Sequence, residues 1–154
     1  MKTLTVGEKA PLFTLLDQNG SEVALDSFQG KKVLIYFYPR ASTPGCTVQA
    51  CALRDSKSEL DALNVVVLGI SPDTPKKLTN FINKQELNFT LLSDEDHATC
   101  EAYNVWQLKK FMGRESMGVV RTSFLIDEDG NLEHIFNKFK TKDHHEVVLN
   151  FIKG

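Results

Sequence analysis

Six consecutive apolar residues, Val33-Leu-Ile-Tyr-Phe-Tyr38, constrain this chain more than any other feature. The run is β-branched and aromatic and has no polar break, which is the pattern of a strand buried on both faces. A second run, Val65-Val-Val-Leu-Gly-Ile70, has the same character. Between them Thr43-Pro44 reads as a helix start, with Thr43 as N-cap and Pro44 as the first helical residue, where its missing N–H costs nothing. That helix is expected to run to about Leu63, giving a strand–helix–strand unit.

The rest of the chain fits the same alternation. Leu12–Leu16, the turn Asp17-Gln-Asn-Gly20 and Ser21–Leu25 suggest an amino-terminal β-hairpin. Leu78, Phe81 and Ile82 share a helical face, Asn88–Leu92 is strand-like, and Ser93-Asp-Glu-Asp96 opens a short helix toward Tyr103. Asn104 to Val119 reads as a loop. Arg121–Ile126 and Leu132–Phe136 flank Asp127-Glu-Asp-Gly130 as a hairpin, and a last helix presents Val147, Val148, Phe151 and Ile152. The expected class is α/β, a mixed central sheet with helices on both faces, in a single domain over 1–154.

Composition narrows the function classes. With 42% hydrophobic residues in 154, the chain can bury a full core, and a net charge of −2 with dispersed signs offers no face for nucleic acid or a membrane surface. Met1 to Lys9 lacks the apolar region of a signal peptide and no run approaches a membrane span, so a cytoplasmic location is expected. Three cysteines in such a compartment point to catalysis or redox sensing and not to a disulfide framework.

Cys46 is the third residue of the first helical turn. Backbone N–H groups there are unpaired, and together with the helix dipole they favour thiolate over thiol, the thiolate being the nucleophile. A helix terminus supplies only about 0.3 to 2 kcal/mol, so a nearby cation is required as well. Any large rate must come from transition-state stabilisation.

Cys51 follows five residues later, which in an intact helix sets the two Cα atoms about 8.6 Å apart. A disulfide needs less than about 7 Å, so joining them requires the first turns to unwind.

Pro39-x-x-x-Thr43-x-x-Cys46 resembles the peroxidatic motif of peroxiredoxins, and Cys51 is similar to the second cysteine of their bacterioferritin comigratory protein (Bcp, or PrxQ) branch. The similarity continues through Val67–Ser71, Asn88–Asp94, Phe111–Arg114 and Arg121–Asp127. It implies a thioredoxin-like fold and a thiol peroxidase in which Cys46 attacks hydrogen peroxide or an organic hydroperoxide and becomes a sulfenic acid. Cys51 would then close an intramolecular disulfide that thioredoxin reduces. Thr43 and Arg121 match the peroxide-binding residues and Pro39 the proline that shields the pocket. Arg121 supplies a permanent cation. Whether Thr43 caps the helix or turns its hydroxyl to the peroxide stays open, as does whether Trp106, Phe111 and Met112 form a lid or ordinary packing. A monomer is expected, because both cysteines lie in one chain, and no metal or organic cofactor is implied. Gln49 stands where many members carry glutamate, and Asn104 and Gln107 replace expected glycines.

Other residues invite blander readings. Cys100 is expected to be buried and inert, and His97 with Cys100 supplies only two of the ligands a zinc site needs. Asp94 to Asp96 suit a first helical turn, and the adjacent His144 and His145 suit a surface or a helix start. A disulfide reductase would need C-x-x-C, which is absent. A peroxide sensor that passes its oxidation to a partner remains open, since sensing and turnover share the first step.

Overall fold

The computed structural model describes residues 4–154 apart from the Phe111 side chain, so Met1 to Thr3 of the segment read for a leader lie outside it. Among the described residues seven strands form one mixed sheet, and two more form a separate hairpin. The central strand is β3 (Lys32–Phe37), parallel to β4 (Val65–Ser71), which is parallel to β5 (Thr90–Ser93). The expected amino-terminal hairpin, β1 (Thr14–Asp17) and β2 (Glu22–Ala24), extends the sheet antiparallel beyond β5.

On the other side of β3 lie two carboxy-terminal strands, here named for their place in the chain after the hairpin β6 (Trp106–Phe111) and β7 (Arg114–Val119). They are β8 (Thr122–Ile126) and β9 (Leu132–Phe136), both antiparallel to their neighbours.

The unbroken apolar run of β3 serves two cores. Leu34, Tyr36 and Tyr38 face one cluster, whereas Val33, Ile35 and Phe37 face the other. The first cluster packs under α1 (Pro44–Asp55), α2 (Lys57–Ala62), α3 (Pro75–Gln85) and α5 (His144–Lys153). The second is covered by Phe13, the 3₁₀ turn at Leu25–Phe28, the short α4 (Ala98–Ala102) and the base of the β6–β7 hairpin. Helices thus occur on both faces, but unequally.

Three local expectations are corrected. The helix expected to reach Leu63 breaks at Ser56, a buried serine whose N–H is shared between the carbonyls of Ala52 and Leu53, and restarts as α2. The short helix does not open at Ser93, which ends β5. It starts at Ala98, and the Asp94 carboxylate accepts the N–H groups of Thr99 and Cys100 from outside the helix.

The stretch between Asn104 and Val119 is mostly the β6–β7 hairpin, turned by Met112 (φ 51°) and Gly113 (φ 79°). Two successive positive φ angles make the tight hairpin turn that Asn-Gly usually signals, and Met-Gly hides it. Asn104 adopts φ 59°, a conformation that asparagine tolerates better than most residues, which explains how it stands in for glycine there.

Candidate active site

Strand pairing builds the site. β3 and β8 run antiparallel with Phe37 opposite Thr122, so the chain leaving β3 at Tyr38 meets the chain entering β8 at Arg121. The loop Pro39–Thr43 then delivers the chain to α1. The backbone N–H of Ala41 donates to the Asp73 carboxylate at 2.7 Å, and the Ser71 hydroxyl donates to the same oxygen at 2.8 Å. Ser42 turns the loop with φ 65°. Asp73 had no signal in the sequence beyond its place after β4.

Cys46 is 1% exposed, and its sulfur lies 3.1 Å from Nη2 of Arg121, the required cation. The guanidinium is steadied by Nη1 donating to Oε1 of the fully buried Gln49 at 3.0 Å. Gln49 therefore bears directly on the site. As a neutral amide it orients Arg121 without competing with the sulfur for its charge. Gly45 is a residue that sequence reasoning passed over. A Cβ there would sit 3.2 Å from Nη2 of Arg121, so its missing side chain makes room for the guanidinium.

Thr43 occupies the N-cap position with extended backbone, yet its hydroxyl makes no cap bond and donates instead to the Arg40 carbonyl at 2.9 Å. Its carbonyl accepts the N–H of Thr47. The N–H groups of Gly45 and Cys46 have no acceptor among the described residues. The first turn thus presents unsatisfied donors beside the sulfur and next to Arg121, an arrangement that stabilises negative charge on sulfur or on an oxygen leaving it. Pro39, Thr43, Cys46 and Arg121 are gathered at one end of β3.

Cys51 is not brought to Cys46. Both thiols are free, and α1 is continuous between them. Cys51 is half-buried and donates to Oε1 of Gln85 on α3 at 3.5 Å.

Beneath the site Tyr36 and Tyr38 stack at 5.3 Å. Burial, the neighbouring Tyr38 and Cys46 push the Tyr36 phenol well above its ordinary range, so it stays neutral. Gly69 admits the Tyr36 ring, since a Cβ there would lie 2.9 Å from it.

The remaining candidates fall elsewhere. Cys100 is fully buried, and burial and the Asp94 carboxylate push its thiol up. His97 stacks on Trp106 at 3.9 Å, Trp106 packs against the core cluster on the face of the sheet opposite to the one Cys46 joins, and Met112 is exposed at the hairpin tip. His144 begins α5 but is buried, not on the surface.

Comparison with known proteins decides the family. The profile of the AhpC/TSA family matches residues 6–135. A putative peroxiredoxin bcp of Haemophilus influenzae is 61% identical over 154 residues, covering 100% of this chain and 99% of that protein. The chain belongs to the AhpC/TSA family, in its Bcp/PrxQ peroxiredoxin branch.

Peroxiredoxin Bcp of Escherichia coli K12 is 58% identical over 153 residues, covering 99% of this chain and 98% of its own. The solved bacterioferritin comigratory protein of Xanthomonas campestris, studied for its alkyl peroxide reduction activity, superposes with a TM-score of 0.86. It has 33% identity and covers 92% of this peroxiredoxin and 90% of that chain. A cysteine-to-serine mutant of Xylella fastidiosa PrxQ superposes at 0.92 with 26% identity, over 99% and 98%. The peroxiredoxin therefore has a thioredoxin-like fold and is a thiol peroxidase. Among its described residues no helix is long and apolar enough to cross a membrane.

Proposed function

We propose that Cys46 is the peroxidatic nucleophile for hydrogen peroxide and organic hydroperoxides. The observation that carries this reading is the 3.1 Å contact between Nη2 of Arg121 and the buried Cys46 sulfur at the start of α1. The thiolate attacks one peroxide oxygen, an S–O bond forms as the O–O bond breaks, and the other oxygen leaves as water or alcohol after taking a proton. Arg121 and the N–H groups of Gly45 and Cys46 stabilise the charge as it moves from sulfur to the leaving oxygen. The Thr43 hydroxyl accepts the peroxide O–H, and Pro39 limits water access to the sulfur.

In the second step the Cys51 thiol displaces hydroxide from the Cys46 sulfenic acid, giving a disulfide within one chain and one water. Thioredoxin restores both thiols by exchange, being itself oxidised to a disulfide. In this reading the enzyme acts as a monomer with one catalytic domain, in the cytoplasm, with no resident cofactor or metal and no nucleic-acid or membrane partner.

Peptide mapping after one equivalent of hydrogen peroxide tests the scheme. A Cys46–Cys51 disulfide within one chain is expected. Cys46→Ser eliminates turnover, and residual peroxidase activity in that protein would refute the assignment. Cys51→Ser keeps the first oxidation and accumulates sulfenic or sulfinic acid at Cys46.

A further inference from the structure

Helix α1 is held at both ends by different partners. Its first half is tied to β8 through Arg121, which reaches Cys46 and Gln49. Its last turn is tied to the end of α3 and the segment after it: Nη1 of Arg54 donates to the Gln85 carbonyl, and Nδ2 of Asn88, between α3 and β5, donates to the Arg54 carbonyl at 3.2 Å. The Cys51 thiol donates to the Gln85 carboxamide from the same side. Five helical steps set Cys51 about 140° around the axis from Cys46. The Cys51 contact therefore exists only while Cys51 is turned away from its target, and the Arg54 and Asn88 bonds hold the turn that follows it against α3 and the segment after α3.

We infer that Gln85 and Arg54 are positioning residues that retard the second chemical step, by holding Cys51 on α3 and so keeping α1 wound after Cys46 is oxidised. The inference rests on Cys51 being the resolving cysteine. The second step joins Cys46–SOH and Cys51–SH into a disulfide plus water, and it needs α1 to open. The hydrogen bond from Cys51 is possible only for the protonated thiol on the wound helix, so it stabilises the state that cannot react. Arg54 adds a charge-assisted bond to the same place. While α1 stays wound, the sulfenic acid is exposed to a second peroxide, which oxidises it to sulfinic acid and leaves as water or alcohol. The grip on α3 thus sets the ratio of completed cycles to inactivated enzyme.

The test uses full-length protein and stopped-flow mixing with hydrogen peroxide, following sulfenic acid formation, disulfide closure and the sulfinic fraction by mass. Gln85→Leu removes the acceptor and leaves the backbone carbonyl that Arg54 uses, and Arg54→Met removes the other bond. Each is expected to speed closure about two- to tenfold, the size of one ordinary hydrogen bond, and to lower the sulfinic fraction in proportion. The first oxidation rate stays within twofold. Closure that is unchanged or slower in both variants would overturn the inference, as would a parallel change in both steps, which marks a general packing defect. Failure of the underlying reading looks different: Cys51→Ser would still close an internal disulfide.

Discussion

Two helices of this protein begin with the same dipeptide and use it differently. Thr43-Pro44 opens α1 and Thr74-Pro75 opens α3. The third helical N–H belongs to Cys46 in one and to Lys77 in the other. Thr74 accepts the Lys77 N–H at 3.3 Å, whereas Thr43 turns its hydroxyl to the Arg40 carbonyl and leaves the Cys46 N–H open. A cap saturates the donors that a reacting anion needs. One start is finished as structure and the other is left unfinished for chemistry, at the cost of a cap worth about 1 kcal/mol.

The largest effect should come from the cation that completes the unfinished start. Arg121→Met is expected to slow Cys46 oxidation by about 10²- to 10³-fold, typical for a lost oxyanion donor, measured by stopped-flow with hydrogen peroxide. A loss below threefold would mean that the helix start suffices alone.

A third helix start sharpens the comparison, because α5 begins with a buried imidazole. His144 shares a 2.7 Å bond with the Ser123 hydroxyl, and burial, aided by His145, lowers its pKa to about 3. The unfolded chain gains this proton near pH 6.5 and the folded one only near 3. Stability is therefore complete above about pH 6.5 and lost as pH falls toward 3, at up to about 1.4 kcal/mol per unit. Urea unfolding of His144→Gln should show a flatter acid limb. An identical limb would assign the acid sensitivity to other groups.

The threonines supply the direct contrast. Thr43→Val should cut the peroxide rate by about 10- to 100-fold and change unfolding free energy by less than about 0.5 kcal/mol, since no cap is lost. Thr74→Val should do the reverse, costing about 1 kcal/mol with the peroxide rate within about twofold. If both variants lost stability equally, Thr43 would be a cap after all and the contrast would collapse.

Much of this was legible beforehand. The Val33 run, the helix start after it and the hairpin across Asp127–Gly130 follow from side-chain period and turn residues, signals that act over a few positions. The β6–β7 hairpin was missed because Met-Gly carries little turn signal, and the break at Ser56 because nothing in a serine announces a second helix. Gly45 was silent, and Gln49 stood out only against the glutamate many family members carry, since the value of both depends on Arg121, which lies more than 70 positions away. Cys100 shows the limit of local reading: like Cys46 it is the third residue of a helix, but its neighbour in space is a carboxylate.

The sequence by itself determined most of the elements, their order, and the placing of a cysteine in the first turn of a helix, because propensity, capping chemistry and apolar period are properties of neighbouring residues. Only the tertiary structure decided that the thiol has a cation against it, that Thr43 leaves the helix uncapped, and that Cys51 is held on α3. Those outcomes depend on the antiparallel register of β3 with β8 and on the packing of α1 against α3, and strand register and helix packing are set by the whole core at once.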